Sequence, residues 1–121
     1  MSTGAFLAVF IGGGAGSLLR YLISWYLPWQ DGFPWATWWA NVLACLFLGA
    51  LMSLLPLMSD NTRVLLLTGF CGGLSTFSAL SRETFMMTER GEWLLAFGYV
   101  LSSIVAGLLA LFITYMLFAR H

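Results

Sequence analysis

Three stretches of this chain, residues 32–59, 64–81 and 93–119, carry no charged side chain, and before Asp31 the only charge is Arg20. A helix needs about 20 apolar residues to cross the hydrocarbon of a bilayer. The charge-free runs therefore predict an all-α membrane protein. The expected spans lie near 4–27, 35–55, 63–87 and 93–118, in one transmembrane domain covering 1–121. Composition agrees: 60% of the 121 residues are hydrophobic and 8% are charged, against about 25% charged in an ordinary soluble domain. The formal net charge is zero, with no basic patch for nucleic acid. Met1-Ser2-Thr3 offers no basic region of a signal peptide, so no cleaved leader is expected.

The third run contains its own interruption. It reads Gly69-Phe70-Cys71-Gly72-Gly73-Leu74-Ser75-Thr76-Phe77-Ser78, rich in glycine and hydroxyl groups. No water is available inside a bilayer to satisfy a freed N–H or C=O. A break at that depth is tolerated only where protein buries it or where it lines a cavity. The third helix is thus expected to be broken at mid-membrane, and such breaks mark ion sites in transporters.

Other signals fix limits and packing. Trp25, Trp29, Trp35, Trp38, Trp39 and Trp93 flank the two loops opposite the termini, where indoles favour the lipid interface. Pro28, Pro34 and Pro56 fall at helix limits, and Asp60, Asn61 or Thr62 is the expected cap of the third helix. Gly4, Ala8, Gly12, Gly16 and Arg20 recur every four residues, as do Ser102, Ala106, Ala110 and Thr114. These stripes predict close helix approach. Cys45 and Cys71 read as small packing residues and not as a disulfide or metal pair.

Orientation usually follows an excess of Lys and Arg in cytoplasmic loops. Here there is no Lys. Arg63 and Arg120 lie on the terminal side; Arg90 lies on the other, with Arg20 and Arg82 towards it. So small a bias permits insertion both ways, and two opposed copies would pair about an axis in the membrane plane. A single orientation set by other features is the alternative.

The polar groups expected at membrane depth are mostly donors. Asn41 lies on the second helix; Ser75, Thr76, Ser78, Ser81 and Thr84 follow the glycines; Tyr99 and Ser103 stand one turn apart on the fourth helix. Glu83 is the only acidic candidate, and Arg82 beside it leaves its placement open. Hydroxyls, an amide, aromatic ring edges and Arg20 suit a small anion. There is no Ser-His-Asp set, no metal-ligand spacing and no phosphate loop, and His121 is the sole His. An enzyme is not expected.

Across nearly its whole length the chain resembles the Fluc (CrcB) family of bacterial fluoride channels. The matching segments are Gly12-Gly13-Gly14-Ala15-Gly16-Ser17-Leu18-Leu19-Arg20-Tyr21, then Thr37 to Asn41, then Gly69 to Ser78 with Glu83. The resemblance implies an antiparallel, dual-topology homodimer with two ion paths in the bacterial inner membrane. It implies passive export of fluoride. It makes Phe77 the first pore phenylalanine, with its ring edge on the ion. Asn41, Ser78, Ser81, Tyr99 and Ser103 become polar pore residues, Arg20 a vestibule arginine, and Glu83 an acid near a pore end. It places a structural Na+ at the dimer centre, on the backbone carbonyls of Gly72 and Ser75. Where the family reads Phe-Ser-Thr-Phe, this chain reads Phe77-Ser78-Ala79-Leu80, so the second ring is missing. The alternatives are a small dual-topology drug-export transporter, which would need a carboxylate in the first helix, and a non-conducting partner subunit.

Overall fold

The computed structural model describes residues 2–119. All regular structure among them is helical. The elements are α1 (Thr3–Tyr26), α2 (Trp35–Ser53), a 3₁₀ turn (Leu55–Leu57), α3 (Asp60–Arg63), a π-helical segment (Val64–Cys71), α4 (Gly72–Leu74), α5 (Phe77–Glu89) and α6 (Trp93–Ala119). Four spans are long and apolar enough to cross a membrane: α1, α2, the composite Asp60–Glu89, and α6. Arg120 and His121 lie outside the described residues.

The limits differ from the sequence reading in instructive places. The second helix stops at Ser53 and not at 55, because Pro56 cannot donate to the ladder; a 3₁₀ turn carries the chain round. The third span begins earlier, at Asp60. Its cap is Ser59, whose Oγ accepts from the Thr62 N–H at 3.3 Å and lies 2.8 Å from the Thr62 hydroxyl. Asp60, Asn61 and Thr62, the expected caps, all belong to the first turn instead. Ser59 escapes a sequence reading because any of four consecutive polar residues supplies a capping oxygen.

The glycine stripe decides how α1 meets the third span. Ala8, Gly12 and Gly16 are buried. A Cβ on Gly12 would run into the Leu65 carbonyl, and one on Gly16 into the Phe70 carbonyl. Backbone thus lies directly on backbone, as small-residue stripes allow. The wide π turn of Val64–Cys71 faces this stripe; such turns insert an extra residue and shift the register of the helix beyond them. On the other side α2 packs along α6. Gly49 meets Thr114 and the Leu111 carbonyl, and the Trp38 indole donates to the Ser102 hydroxyl at 3.2 Å.

Two apolar clusters fill the interior. Ala40, Ala44 and Leu74 pack with Leu19, Ile23, Leu43 and Phe70. Met87, Ala96 and Tyr99 pack with Trp29, Phe33, Trp38, Leu80 and Leu95. The first joins α1, α2 and α4, while the second joins α5 and α6 to the 29–38 segment. Between them α4 ends and α5 begins, and this places the polar residues.

Gly16→Val should destabilise the detergent-solubilised protein by about 3 kcal/mol, the upper range for forcing extra carbon into a packed interior. Gly98→Ala, where a Cβ meets nothing within 4 Å, should be neutral or mildly stabilising. Thermal unfolding followed by size-exclusion chromatography separates the two; equal midpoints would remove the close-contact account of α1.

Candidate functional site

Ser75 and Thr76 both adopt extended backbone angles between α4 and α5 (ψ 151° and 120°). Helical hydrogen bonds cannot bridge them, so the groups they free need other partners. Each partner is a residue singled out by the sequence. The Thr76 N–H donates to Asn41 Oδ1 at 2.8 Å. Arg20 Nε donates to the Gly73 carbonyl at 3.1 Å. The Cys71 carbonyl accepts from Ser75 through both its N–H (3.0 Å) and its hydroxyl (2.9 Å). Thr76 Oγ1 caps α5 by accepting from the Ala79 N–H at 3.2 Å, and it lies 3.0 Å from the Ser78 hydroxyl. The extended pair is pinned from α1 and α2 at once.

The Thr76 bond also settles the direction of an amide. An N–H can be accepted only by the carboxamide oxygen, so Asn41 turns its NH2 group, with two donors, away from Thr76. Beside it opens a groove of about 270 Å³ lined by Asn41, Cys45, Ser75, Thr76, Phe77 and Ser103, with Leu80 and Ile104. Ser103 is 8% exposed, and its Oγ has no hydrogen-bond partner. Phe77, the first residue of α5, is 81% exposed. Ser78 and Ser81 are exposed too. Ser81 lines a neighbouring groove of about 360 Å³ with Phe77, Leu80 and Thr84.

A second polar centre lies on the far side of Ala79. Glu83 is 6% exposed. Its Oε2 accepts from the Thr37 hydroxyl at 2.8 Å, and its Oε1 accepts from the Tyr99 hydroxyl at 2.7 Å. A buried carboxylate is costly unless its oxygens are bonded, and here both are. A cavity of about 180 Å³ brings Glu83 together with Arg20, Thr37, Ala79 and Arg82. Arg82 and Glu83, adjacent in sequence, differ in burial although both line this cavity: Arg82 is exposed, its Nη1 3.5 Å from Met86 Sδ, while Glu83 is buried.

The expected site residues therefore fall into groups. Asn41, Ser75, Phe77 and Ser103 share one groove, Ser81 joins Phe77 in the next, and Arg20 and Glu83 share the cavity. Tyr99 stands apart from the groove. Its ring is fully buried and its hydroxyl is committed to Glu83. Gly72 is exposed, with no atom within 4 Å of where a Cβ would stand.

Sequence reasoning gives no site role to Thr37 or Cys45, and it counts Thr76 only as one hydroxyl among several. The signal for Thr37 and Cys45 is periodicity. Thr37, Asn41, Cys45 and Gly49 stand four apart on α2 and so share one face. Each meets the third span or α6: Thr37 at Glu83, Asn41 at Thr76, Cys45 at Gly107, Gly49 at Thr114. This row escapes a search for small residues because Asn41 interrupts it.

Four helices long and apolar enough to cross a membrane among the described residues, tied to one another by hydrogen bonds of Arg20, Thr37, Asn41 and Tyr99, define a multi-pass membrane protein. Residues 7–115 match the family described as CrcB-like protein, Camphor Resistance (CrcB), and the chain belongs to that family. It is similar to a fluoride-specific ion channel FluC of Pyrococcus abyssi, 44% identical over 94% of this chain and 95% of the relative. It is also similar to one of Phocaeicola vulgatus, 39% identical over 85% and 88%. A third, from Chloroflexus aurantiacus, is 38% identical over 88% and 89%.

Removing the acceptor of the Thr76 N–H should show in stability. Asn41→Leu is expected to cost about 1–3 kcal/mol, the penalty for stranding a buried donor. Asn41→Asp keeps an oxygen in place and should remain closer to the parent. If thermal unfolding in detergent finds Asn41→Leu as stable as the parent, the bond does not hold the link.

Proposed function

We propose that this protein is a passive channel for fluoride. The named function of its relatives supports the ion, and the groove beside Thr76 supports the means. One observation carries the reading: the Thr76 N–H on Asn41 Oδ1 turns the two N–H donors of that amide away from Thr76, in a residue that lines the groove. Ser103 adds a hydroxyl with no other partner. Phe77 adds a ring whose edge is positive, at the N-terminus of α5, where unpaired N–H groups attract anions. A small anion loses its hydration only if such donors replace it closely. Ser81 and Thr84 extend the polar line along the adjoining groove, and Ser78 adds a further exposed hydroxyl beside Phe77. Several modest sites in series let an ion enter without being trapped.

Arg20 takes the vestibule role. Its guanidinium opens on the 180 Å³ cavity while its Nε is anchored on Gly73. Thr37 and Tyr99 hold the Glu83 carboxylate in place, so that Tyr99 acts on the path through Glu83. No energy source is required: an inside-negative potential favours outward movement of one negative charge by about 2.3 kcal/mol per 100 mV. The protein would thereby lower cytoplasmic fluoride across a bacterial inner membrane.

Purified protein in liposomes, assayed with a fluoride electrode and with chloride as control, tests the assignment. Phe77→Ile should abolish flux, because bulk is kept and the ring edge is lost. Asn41→Asp should lower it by at least about 10-fold, since losing even one donor to a charged group costs about 1.5–3 kcal/mol and the change removes both N–H groups and adds a carboxylate to the path. Leu80→Phe should keep or increase it. Background flux in the parent chain, rescued by Leu80→Phe, would favour a non-conducting partner subunit. Undiminished flux in Phe77→Ile would remove that ring from the mechanism.

The assembly proposed is an antiparallel homodimer with the Ser75–Thr76 link at mid-membrane. The weak arginine bias and the exposed face of Phe77, Ser78 and Ser81 support it. A structural Na+ fits the same link. Among the described residues, hydrogen bonds at the link account for the Cys71 and Gly73 carbonyls and give no donor to those of Gly72, Leu74 and Ser75, of which the family resemblance points to Gly72 and Ser75. Paired across two copies, these oxygens would hold a hard cation, whose charge would offset the crowding of carbonyl dipoles. In a background lacking Cys45 and Cys71, single cysteines at either terminus should label from both membrane faces, and replacing Na+ with a large organic cation should weaken the purified dimer. One-sided labelling would defeat the antiparallel arrangement; a dimer indifferent to Na+ would defeat the metal site.

A further inference from the structure

Both cysteines are free, yet they differ in surroundings. Cys71 is 4% exposed inside the π segment. Cys45 is half-buried and lines the 270 Å³ groove together with Asn41, Phe77 and Ser103. Its sulfur sits against α6 at Gly107, where a Cβ would stand 3.2 Å from Sγ. Ser103 is one turn earlier on α6. Other hydroxyls in the bundle bond to their own helix: Thr84 donates to the Leu80 carbonyl at 2.7 Å, and Thr114 to the Ala110 carbonyl at 2.9 Å. Ser103, more than nine-tenths buried, makes no such bond and faces the groove that Cys45 faces. The thiol thus opens on a largely apolar groove that also holds Asn41 and the unpartnered Ser103 hydroxyl, and not on packed side chains alone.

We propose that Cys45 is a modification site, at which a small uncharged thiol-directed electrophile of the activated-disulfide class plugs the groove. The inference rests on the reading of this groove as the ion path. With methyl methanethiosulfonate as probe, the Cys45 sulfur attacks the methylthio sulfur. A new S–S bond forms, the S–SO2 bond breaks, methanesulfinate leaves with its electron pair, and the thiol proton goes to solvent. The product carries a tethered methyl group beside Asn41 and Ser103. Liquid water occupies about 30 Å³ per molecule, so a methylthio group takes the place of water molecules in a groove of this volume. Its methyl group has no hydrogen-bond donor for an anion, whereas the water it displaces has two. A dithiol reductant reverses the reaction and restores the free thiol.

The test uses the purified full chain in liposomes, with fluoride efflux measured before treatment, after the reagent, and after dithiothreitol. Efflux should fall to the protein-free background and return on reduction, with mass spectrometry placing the methylthio group on Cys45. Cys71→Ala should remain sensitive. Cys45→Ala and Cys45→Ser, either of which serves if the other fails to fold, should each keep its own untreated efflux after the reagent, whatever that level is relative to the parent. Normal untreated efflux that persists with Cys45 labelled overturns the plug alone, as does a Cys45 that stays unlabelled. Background efflux before any treatment overturns the channel reading, and the plug with it.

Discussion

The hydrogen bond from the Thr76 N–H to Asn41 Oδ1 is the contact on which the arrangement of this protein turns. A helix satisfies its own backbone, and two extended residues between α4 and α5 end that self-sufficiency. In water the freed groups would be solvated at little cost. In hydrocarbon each stranded group costs several kcal/mol, so partners must come from neighbouring helices at fixed positions. Asn41 reaches from α2 and Arg20 from α1. The two extended residues thereby tie three spans together more specifically than apolar packing does, since lipid tails compete for apolar contacts and not for these.

The same economy shapes the chemistry. A carboxamide whose oxygen is held by the backbone has its orientation fixed, so a structural bond decides that both N–H donors of Asn41 point away from Thr76. The carboxyl group of Glu83 is kept apart from the groove, held by Thr37 and Tyr99 in a separate cavity. The amide and hydroxyl donors of the groove thus stand apart from Glu83, whose two oxygens are occupied by Thr37 and Tyr99 in the cavity it shares with Arg20 and Arg82. An anion path needs that separation, because a free carboxylate among the donors would be their first ligand.

Much of this is legible in the chain itself. The charge-free runs mark the spans to within a few residues, since charge exclusion from lipid is a strong and local rule. The Gly12–Gly16–Arg20 row, a small-residue stripe ending on a guanidinium, predicts that α1 approaches another helix closely. Asn41, Ser75 and Ser103 stand out by polarity alone, and Phe77 by family resemblance. What stays hidden depends on tertiary pairing. Glu83 beside Arg82 has no sequence signal for which of the two turns inward; Thr37 and Tyr99 decide it, from 46 and 16 residues away. Tyr99 and Ser103 share a helix face, yet only Ser103 reaches the groove, because the larger ring is captured by Glu83 on its way. The π segment of Val64–Cys71 also leaves no mark, as Val, Leu and Phe suit an α-helix equally well.

That π segment acts on the groove through register. A wide turn moves each later residue round the helix axis relative to an α-helical course. Phe70, Gly73 and Leu74 thereby arrive on the face of α1 where Gly16 lies, with the Gly73 carbonyl in reach of Arg20. Glycine at 12, 16, 69 and 73 permits the close approach, as a Cβ at any of them would come within about 3 Å of backbone atoms opposite. The approach of α1 to the third span fixes where α4 stops, and the stop fixes where Thr76 presents its N–H to α2. The glycine stripe, read from sequence as mere packing, is in this sense upstream of the polar site: widening that one interface would carry Gly73 away from Arg20 and Thr76 away from Asn41 together.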